Sequence, residues 1–415
     1  MWPLLFMLLF GNAPQQPAKA VQASSCVDCH LGLEGDLQQP VKLSTEDIHF
    51  QNGLSCHSCH GGDPKADSPD ESMSPKKGFV GRPARNMIAT LCASCHSNPV
   101  FMRTYTPQAR VDQYSEYLTS VHGKKYQAGD PNVAVCTDCH GFHGVKSVKN
   151  PTSPVYVTNV AATCGRCHSD PKRMASYGIP TDQVQHWTGS VHGIALIKRG
   201  DLGAPTCNSC HGNHGAAPPG VDSVANVCGQ CHARQWELFN KSPHKKAFAD
   251  ANLLACSTCH EHHDIAQPTD AMLGVEPSAT CVTCHDKTSP GYPAAAAMKT
   301  GIVRLDRDLN GARSLLERAE RAGMEVSKPL YDFNQGRDQL ILARVQIHQF
   351  DPGAVQKVVD EGEKIAATCR ASGVKALDDL AYRRKGFAVS AGIILLMIIL
   401  LLAKIRQISK AKVAA

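Results

Sequence analysis

Aromatic side chains are scarce in this sequence: Phe, Tyr and Trp together make up 6% of its 415 residues. That excludes a conventional apolar core running through the whole chain, because aromatics dominate the buried area of ordinary domains. Long uncharged apolar runs are missing from the interior and are confined to the two ends, so the chain between them is not built of membrane spans. What the sequence has instead is 19 cysteines and 20 histidines.

Eighteen of those cysteines fall into nine Cys-x-x-Cys-His pentads. They are Cys26, Cys29 and His30; Cys56, Cys59 and His60; Cys92, Cys95 and His96; Cys136, Cys139 and His140; Cys164, Cys167 and His168; Cys207, Cys210 and His211; Cys228, Cys231 and His232; Cys256, Cys259 and His260; and Cys281, Cys284 and His285. At the chain's own Cys and His frequencies chance supplies about 0.04 such pentads. A structural zinc site has no use for a histidine fixed behind every second cysteine, and a disulfide framework has no use for the fixed spacing. The pattern is the attachment signature of c-type haem: the thiols add to the porphyrin vinyl groups and the adjacent histidine ligates the iron.

Nine covalently bound haems c are therefore expected, at roughly 29 residues per haem over residues 26–285. The porphyrins must then supply much of the buried apolar area. This part of the fold should not exist without them, and its backbone should be short helices and long ordered loops. The formal net charge of +6 falls to +1 once Lys19, Lys404, Arg406, Lys410 and Lys412 of the terminal segments are set aside. Each ferric haem with two propionates adds about −1, so the loaded domain is acidic, at about −8, and no nucleic-acid partner is expected.

Residues 2–10, WPLLFMLLF, followed by AKA at 18–20 and VQA at 21–23, read as a signal peptide over residues 1–23, cleaved near 20 or 23, although no basic residue precedes the run. Covalent haem attachment takes place outside the cytoplasm, which implies export independently. At the other end FAVSAGIILLMIILLLA (387–403) is bracketed by Arg383, Arg384, Lys385 and by Lys404, Arg406. With Gly386 it makes about 27 Å of helix, apolar on every face and just enough to span. The expected layout is a haem domain over 24–290, a helical region over 291–385, a transmembrane helix over 386–404, and a basic tail over 405–415 that stays cytoplasmic under the positive-inside rule.

Three segments superimpose without gaps: VDQYSEYLTSVHG (111–123), TDQVQHWTGSVHG (181–193) and ARQWELFNKSPHK (233–245). Each places an aromatic (Tyr117, Trp187, Phe239) five residues before a histidine (His122, His192, His244). Then come CTDCHGFHG, CNSCHGNHG and CSTCHEHHD, each with a further histidine three residues past the pentad (His143, His214, His263), and after them a plainer pentad. The haem-pair repeats run over 122–168, 192–232 and 244–285, with a degenerate copy over 49–96 in which His49 holds the upstream position and His57 sits between Cys56 and Cys59. A histidine three residues past the proximal one cannot reach round its own ring, so it should ligate the iron of a neighbouring haem. In a helical turn that tether would hold two irons on the order of 10–15 Å apart, a device for electron hopping.

The repeats thus claim eight distal ligands: His49, His57, His122, His143, His192, His214, His244 and His263. One iron lacks a partner. His186 and His262 occupy no ligand position of the repeat, which leaves His348. It lies in a stretch, residues 294–385, without pentads. There Ile302, Leu305, Leu309, Ala312, Leu316 and Ala319 step by three and four until Gly323, and a second helix over about 329–349 carries Ile341, Val345 and His348 on one face. Asp351 and Pro352 open a third, with Val355, Val359, Ala366 and Cys369 inward, and Gly373 should separate it from the membrane helix. A lone histidine on an apolar helical face is commonly a packed core residue, but the count requires one more ligand and assigns it to His348. Cys369 reads as a small buried residue without a redox role.

These residues resemble the multihaem cytochromes c built from paired Cys-x-x-Cys-His units, a group that includes the tetrahaem electron carriers and, with a helical C-terminal section, octahaem tetrathionate reductase and hydroxylamine oxidoreductase. The fold class expected is mainly α with extensive loops, organised by haem packing and followed by a helical bundle and one transmembrane helix. The resemblance implies mostly bis-histidine, low-potential haems in an ordered chain, and a periplasmic location. Relays and reductases share the scaffold. The expected function is a single-pass, periplasmic nonahaem cytochrome that relays electrons between the quinol pool, or a quinol-oxidising or cytochrome b-type membrane subunit, and a periplasmic redox partner, without catalytic residues of its own. The alternative is a reductase or oxidase of a small nitrogen or sulfur oxyanion at one open iron, with His186 or His262 as proton donors and Arg344 as partner to an anion or a propionate. No Cys-x-x-Cys-Lys pentad, the active-site variant of the haem nitrite reductases, is present, and histidines suffice to close all nine irons.

Overall fold

The computed structural model describes residues 24–221 and 223–413, so the expected signal peptide lies outside the described residues. The fold is all-α and rich in loops, with no strand among the described residues. Two compact units form: one reaches to Val227 and includes Glu261–Ala266, and the other comprises Cys228–His260 and the chain from Gln267 onward.

In the first unit five of the six pentads take one of two local forms. Cys56–His60, Cys136–His140 and Cys207–His211 are short helices in themselves. Ser58 Oγ, Asp138 Oδ2 and Ser209 Oγ open them by accepting hydrogen bonds from the amides of Ser55, Val135 and Thr206 at 3.2, 2.7 and 3.2 Å, as the third residue of a capping box does. The next residue closes them: Gly61, Gly141 and Gly212 have φ of 67, 82 and 77°, a region glycine enters without steric cost. The helix therefore ends at the proximal histidine, and His143 and His214 stand in bends beyond their pentads. In the other form a longer helix ends on the pentad, as in Arg85–His96 and Val160–His168.

The Ser-x-His element has a mechanical basis. Ser120 and Ser190 donate through Oγ to the carbonyls of Tyr117 and Trp187 at 2.6 and 2.7 Å, and accept from the amides of Gly123 and Gly193 at 3.0 and 3.1 Å. Each serine so ends one helix and caps the next, which fixes where His122 and His192 stand. The aromatic of the repeat ties that helix to the approach of the following pentad, Tyr117 Oη donating to the Ala134 carbonyl at 2.8 Å and Trp187 Nε1 to that of Pro205 at 3.2 Å. Ser190 is 2% exposed, so Ser190→Ala leaves an interior amide unsatisfied. It is expected to cost about 1–2 kcal/mol in denaturant unfolding of the haem-loaded protein, with the midpoint moved and the slope unchanged.

In the second unit the helices Gly291–Arg321, Ser327–Gln346 and Pro352–Val413 pack as a bundle. Ile302, Leu305, Leu309, Ala312, Leu316 and Ala319 meet Phe333, Leu340, Val355, Val359, Ala366 and Cys369 in one buried cluster. Cys369 Sγ donates to the Pro329 carbonyl at 3.4 Å, a core position. Gly373 ends nothing: the third helix runs unbroken through it. A Cβ there would stand 2.9 Å from Leu315 Cβ, so the glycine serves close approach of two helices, and packing overrides its poor helix propensity. Buried positions on the third helix stop at Ala376. Beyond it lies the membrane span, whose mean hydropathy reaches 2.8 with none of the window buried in the fold.

Candidate haem-ligand pairs

Seven histidine pairs recur at one separation. Ring centroids lie 6.1 Å apart in His49–His96, His60–His143, His122–His168 and His260–His348, 6.2 Å in His140–His214, 5.9 Å in His211–His263 and 5.8 Å in His244–His285. Two imidazoles sharing one metal, with each nitrogen about 2.0 Å from it and about 1.1 Å from its own ring centre, stand roughly 6 Å apart. Adjacent rings that share nothing approach closer, as His262 and His263 do at 4.8 Å. Every one of the seven joins a pentad histidine to a non-pentad histidine, so the residues fit a haem iron held on both faces. Haem c, when bound, supplies a one-electron iron couple whose potential the axial ligands and their surroundings set.

The protonation state agrees. Burial holds His96, His122, His140, His143, His168, His211, His214, His244, His260, His263 and His348 below the ordinary histidine range. That favours the neutral imidazole, which is the ligating form. Several rings are also fixed from behind: Nδ1 of His30, His60 and His348 donates to the carbonyls of Leu37, Gly81 and Val345 at 3.0, 2.6 and 2.9 Å, leaving Nε2 for a metal. His49 is held by Asp47, whose Oδ1 accepts from its amide and its Nδ1 at 2.8 and 3.0 Å while Oδ2 accepts from the Val145 amide at 2.9 Å. Burial pushes the Asp47 carboxyl up, and these hydrogen bonds outweigh it and leave it below the usual carboxylate range. Sequence reasoning missed Asp47; its signal was Asp-x-His standing where the other repeats have Ser-x-His.

The pairing follows a rule. A histidine three residues past a pentad faces the proximal histidine two pentads earlier: His143 faces His60, His214 faces His140, and His263 faces His211. An upstream histidine faces the plainer pentad of its own repeat, as in His49–His96, His122–His168 and His244–His285. The Cys256 pentad has no pentad two places later to supply a ligand, and His348 stands opposite His260 instead. Ring planes separate the two classes. The first class, with His260–His348, is inclined by 28, 11, 23 and 21°, and the second by 81, 54 and 89°.

His57 keeps a buried Nδ1 without a hydrogen-bond partner among the described residues, in a helix whose Cys56 lies in the field of Cys26. His192 and His232, one in each unit, remain assigned by the repeat. Of the residues suggested for chemistry at an open iron, His186 is exposed and 3.9 Å from Asp182, and His262 is exposed. Arg344 is engaged by both carboxylate oxygens of Asp270 at 2.9 and 2.7 Å, a bidentate pair that takes up the guanidinium face an anion would need.

Pentad sulfurs, which stand in for thioethers of the haem-loaded protein, meet in chain order. First cysteines lie beside one another and shift each other's titration in Cys92–Cys136, Cys164–Cys207 and Cys228–Cys256. Second cysteines lie in each other's field in Cys59–Cys95 and Cys139–Cys167, and Cys259 lies in that of Cys281. Successive attachment points thus lie within each other's field inside each unit, alternating between the two edges of the pentad.

Residues 48–174 match the family described as cytochrome c3, and residues 246–290 match the doubled Cys-x-x-Cys-His motif. The chain is a multihaem cytochrome c built on paired Cys-x-x-Cys-His motifs. No curated protein and no solved structure matches it. The first matched stretch contains the cytochrome's His49–His96, His60–His143 and His122–His168 pairs, and the second its Cys256 and Cys281 pentads. With its C-terminal span the cytochrome is membrane-anchored, and its role is electron transfer.

Proposed function

We propose that the chain carries nine haems c, all six-coordinate, and relays electrons between a quinol-linked membrane donor and a periplasmic acceptor. The observation that carries this reading is the recurrence of one imidazole–imidazole gap at seven pentads, including the His260–His348 pair that no repeat supplies. His57, whose Nδ1 is buried without a hydrogen-bond partner among the described residues, is left for the Cys26 pentad, and His192 keeps the distal role that the repeat gives it. Attachment points that adjoin in chain order suit stepwise hopping along the wire. The exported side is supported by the chemistry of covalent haem attachment and by the basic segment after the span.

The enzyme alternative needs a vacant or weakly held iron with a free proton donor or anion-binding group, and the engagement of Arg344 by Asp270 removes one of its parts. Carbon monoxide titration of the dithionite-reduced protein tests the choice. A relay with every iron closed binds none, whereas uptake of one equivalent per chain would establish an open iron and favour catalysis.

A further inference from the structure

The third bundle helix is one rod from Pro352 through the membrane span. The first bundle helix runs parallel to it: Arg304 pairs with Glu363, Gly301 lies against Val359, Leu305 against Gly362, and Leu315 against Gly373. The ligands of the second unit gather at the end of this rod that is far from the bilayer. His348 lies four residues before Pro352, and its ring faces His260. Phe350, in the turn between the second and third helices, packs on the His244 ring at 3.9 Å. His244 faces His285, and His285 hydrogen-bonds Ser289 just before the first helix begins. The helix Ala233–Asn240, next to the Cys228 pentad, packs on the turn Ile347–Gln349.

From Pro352 to Lys385, the last residue before the apolar span, the rod rises roughly 50 Å at 1.5 Å per residue. A tilt of about 20° shortens that by only a few Å. Electron tunnelling decays exponentially with distance, so a quinol confined to the bilayer is out of range of these irons. The first bundle helix ends at Arg321, and no pentad lies between Cys281 and the membrane to bridge the gap.

We infer that the membrane-side electron partner of the C-terminal unit is a second protein, held in the same membrane, whose own one-electron cofactor (a haem or an iron–sulfur cluster) stands at that height. This rests on the relay reading. The step is a single electron passed from the partner's reduced centre to a ferric haem of this unit, oxidising one and reducing the other, with the two-electron oxidation of quinol and the release of its protons left to the partner.

The experiment has two arms. In the first, the full chain is reconstituted alone in phosphatidylcholine vesicles loaded with a long-chain, lipid-confined menaquinol. The haem absorption should stay oxidised over a period in which dithionite reduces it completely, and reduction by the quinol would overturn the inference. In the second, eighteen residues of helical sequence are inserted after Asp379, where the rod stands alone. That is five whole turns, which lift the haems by about 27 Å without changing their facing. Quinol-driven reduction in the host membrane should be lost while the spectrum of the isolated protein is unchanged, and an undiminished rate would rule out a partner fixed at this height. Failure of the relay reading would appear separately, as carbon monoxide binding by the unaltered chain.

Discussion

Replacing His348 by alanine is expected to open one iron: the reduced protein then binds carbon monoxide at one haem per chain, where the unaltered protein binds none. His348 faces His260 at the same 6.1 Å that separates three of the repeat-derived pairs, its Nδ1 is committed to the Val345 carbonyl, and burial favours its neutral form. The bundle should survive, because the apolar cluster beneath does not include His348. Added imidazole should restore the low-spin spectrum, which separates loss of a ligand from loss of packing. His262→Ala should change neither the spin state nor carbon monoxide binding. A His348→Ala protein that stays entirely low-spin would mean that the histidine is a core residue and that another group closes the Cys256 haem.

The second large effect concerns the haem-free chain. Outside the bundle, the principal buried apolar cluster among the described residues is Ala161, Trp187, Leu196 and Ala204, whereas the bundle buries seventeen residues together. A cluster of four cannot offset the ordering of the many residues around it, so the porphyrins must complete the interior. Chain made without haem attachment should therefore lose residues 24–290 to protease rapidly and leave a helical, membrane-associated fragment from about 291 onward, seen by mass spectrometry and far-ultraviolet dichroism. Comparable protection of the pentad region with and without haem would show a core that the present account lacks.

The chemistry was legible in the sequence because it is local: a pentad, a Ser-x-His, a histidine three residues on. The pairing was not, since His60 meets His143 and His260 meets His348 across long intervals that no spacing rule encodes. The same limit explains two misreadings. Gly373 looks like a helix breaker to local propensity, and is a contact point for Leu315 to the fold. The histidines past the pentads look helical by their spacing of three, yet Gly141, Gly212 and Glu261, at positive φ, break the turn immediately after the proximal ligand. Asp47 could have been found, by treating Asp and Ser as equivalent caps in aligning the degenerate repeat.

The most direct test of closed, interlocked coordination is the low-temperature electron paramagnetic resonance spectrum of the fully oxidised protein. The angle between two axial imidazole planes sets the splitting of the iron orbitals that interact with them, so near-parallel and near-perpendicular pairs give distinct low-spin signals. Planes inclined by 11–28° at four pentads and by 54–89° at three predict both families together, rhombic and strongly anisotropic, with no high-spin component. A high-spin ferric signal amounting to one haem per chain, or a single uniform family of low-spin signals, would contradict the account.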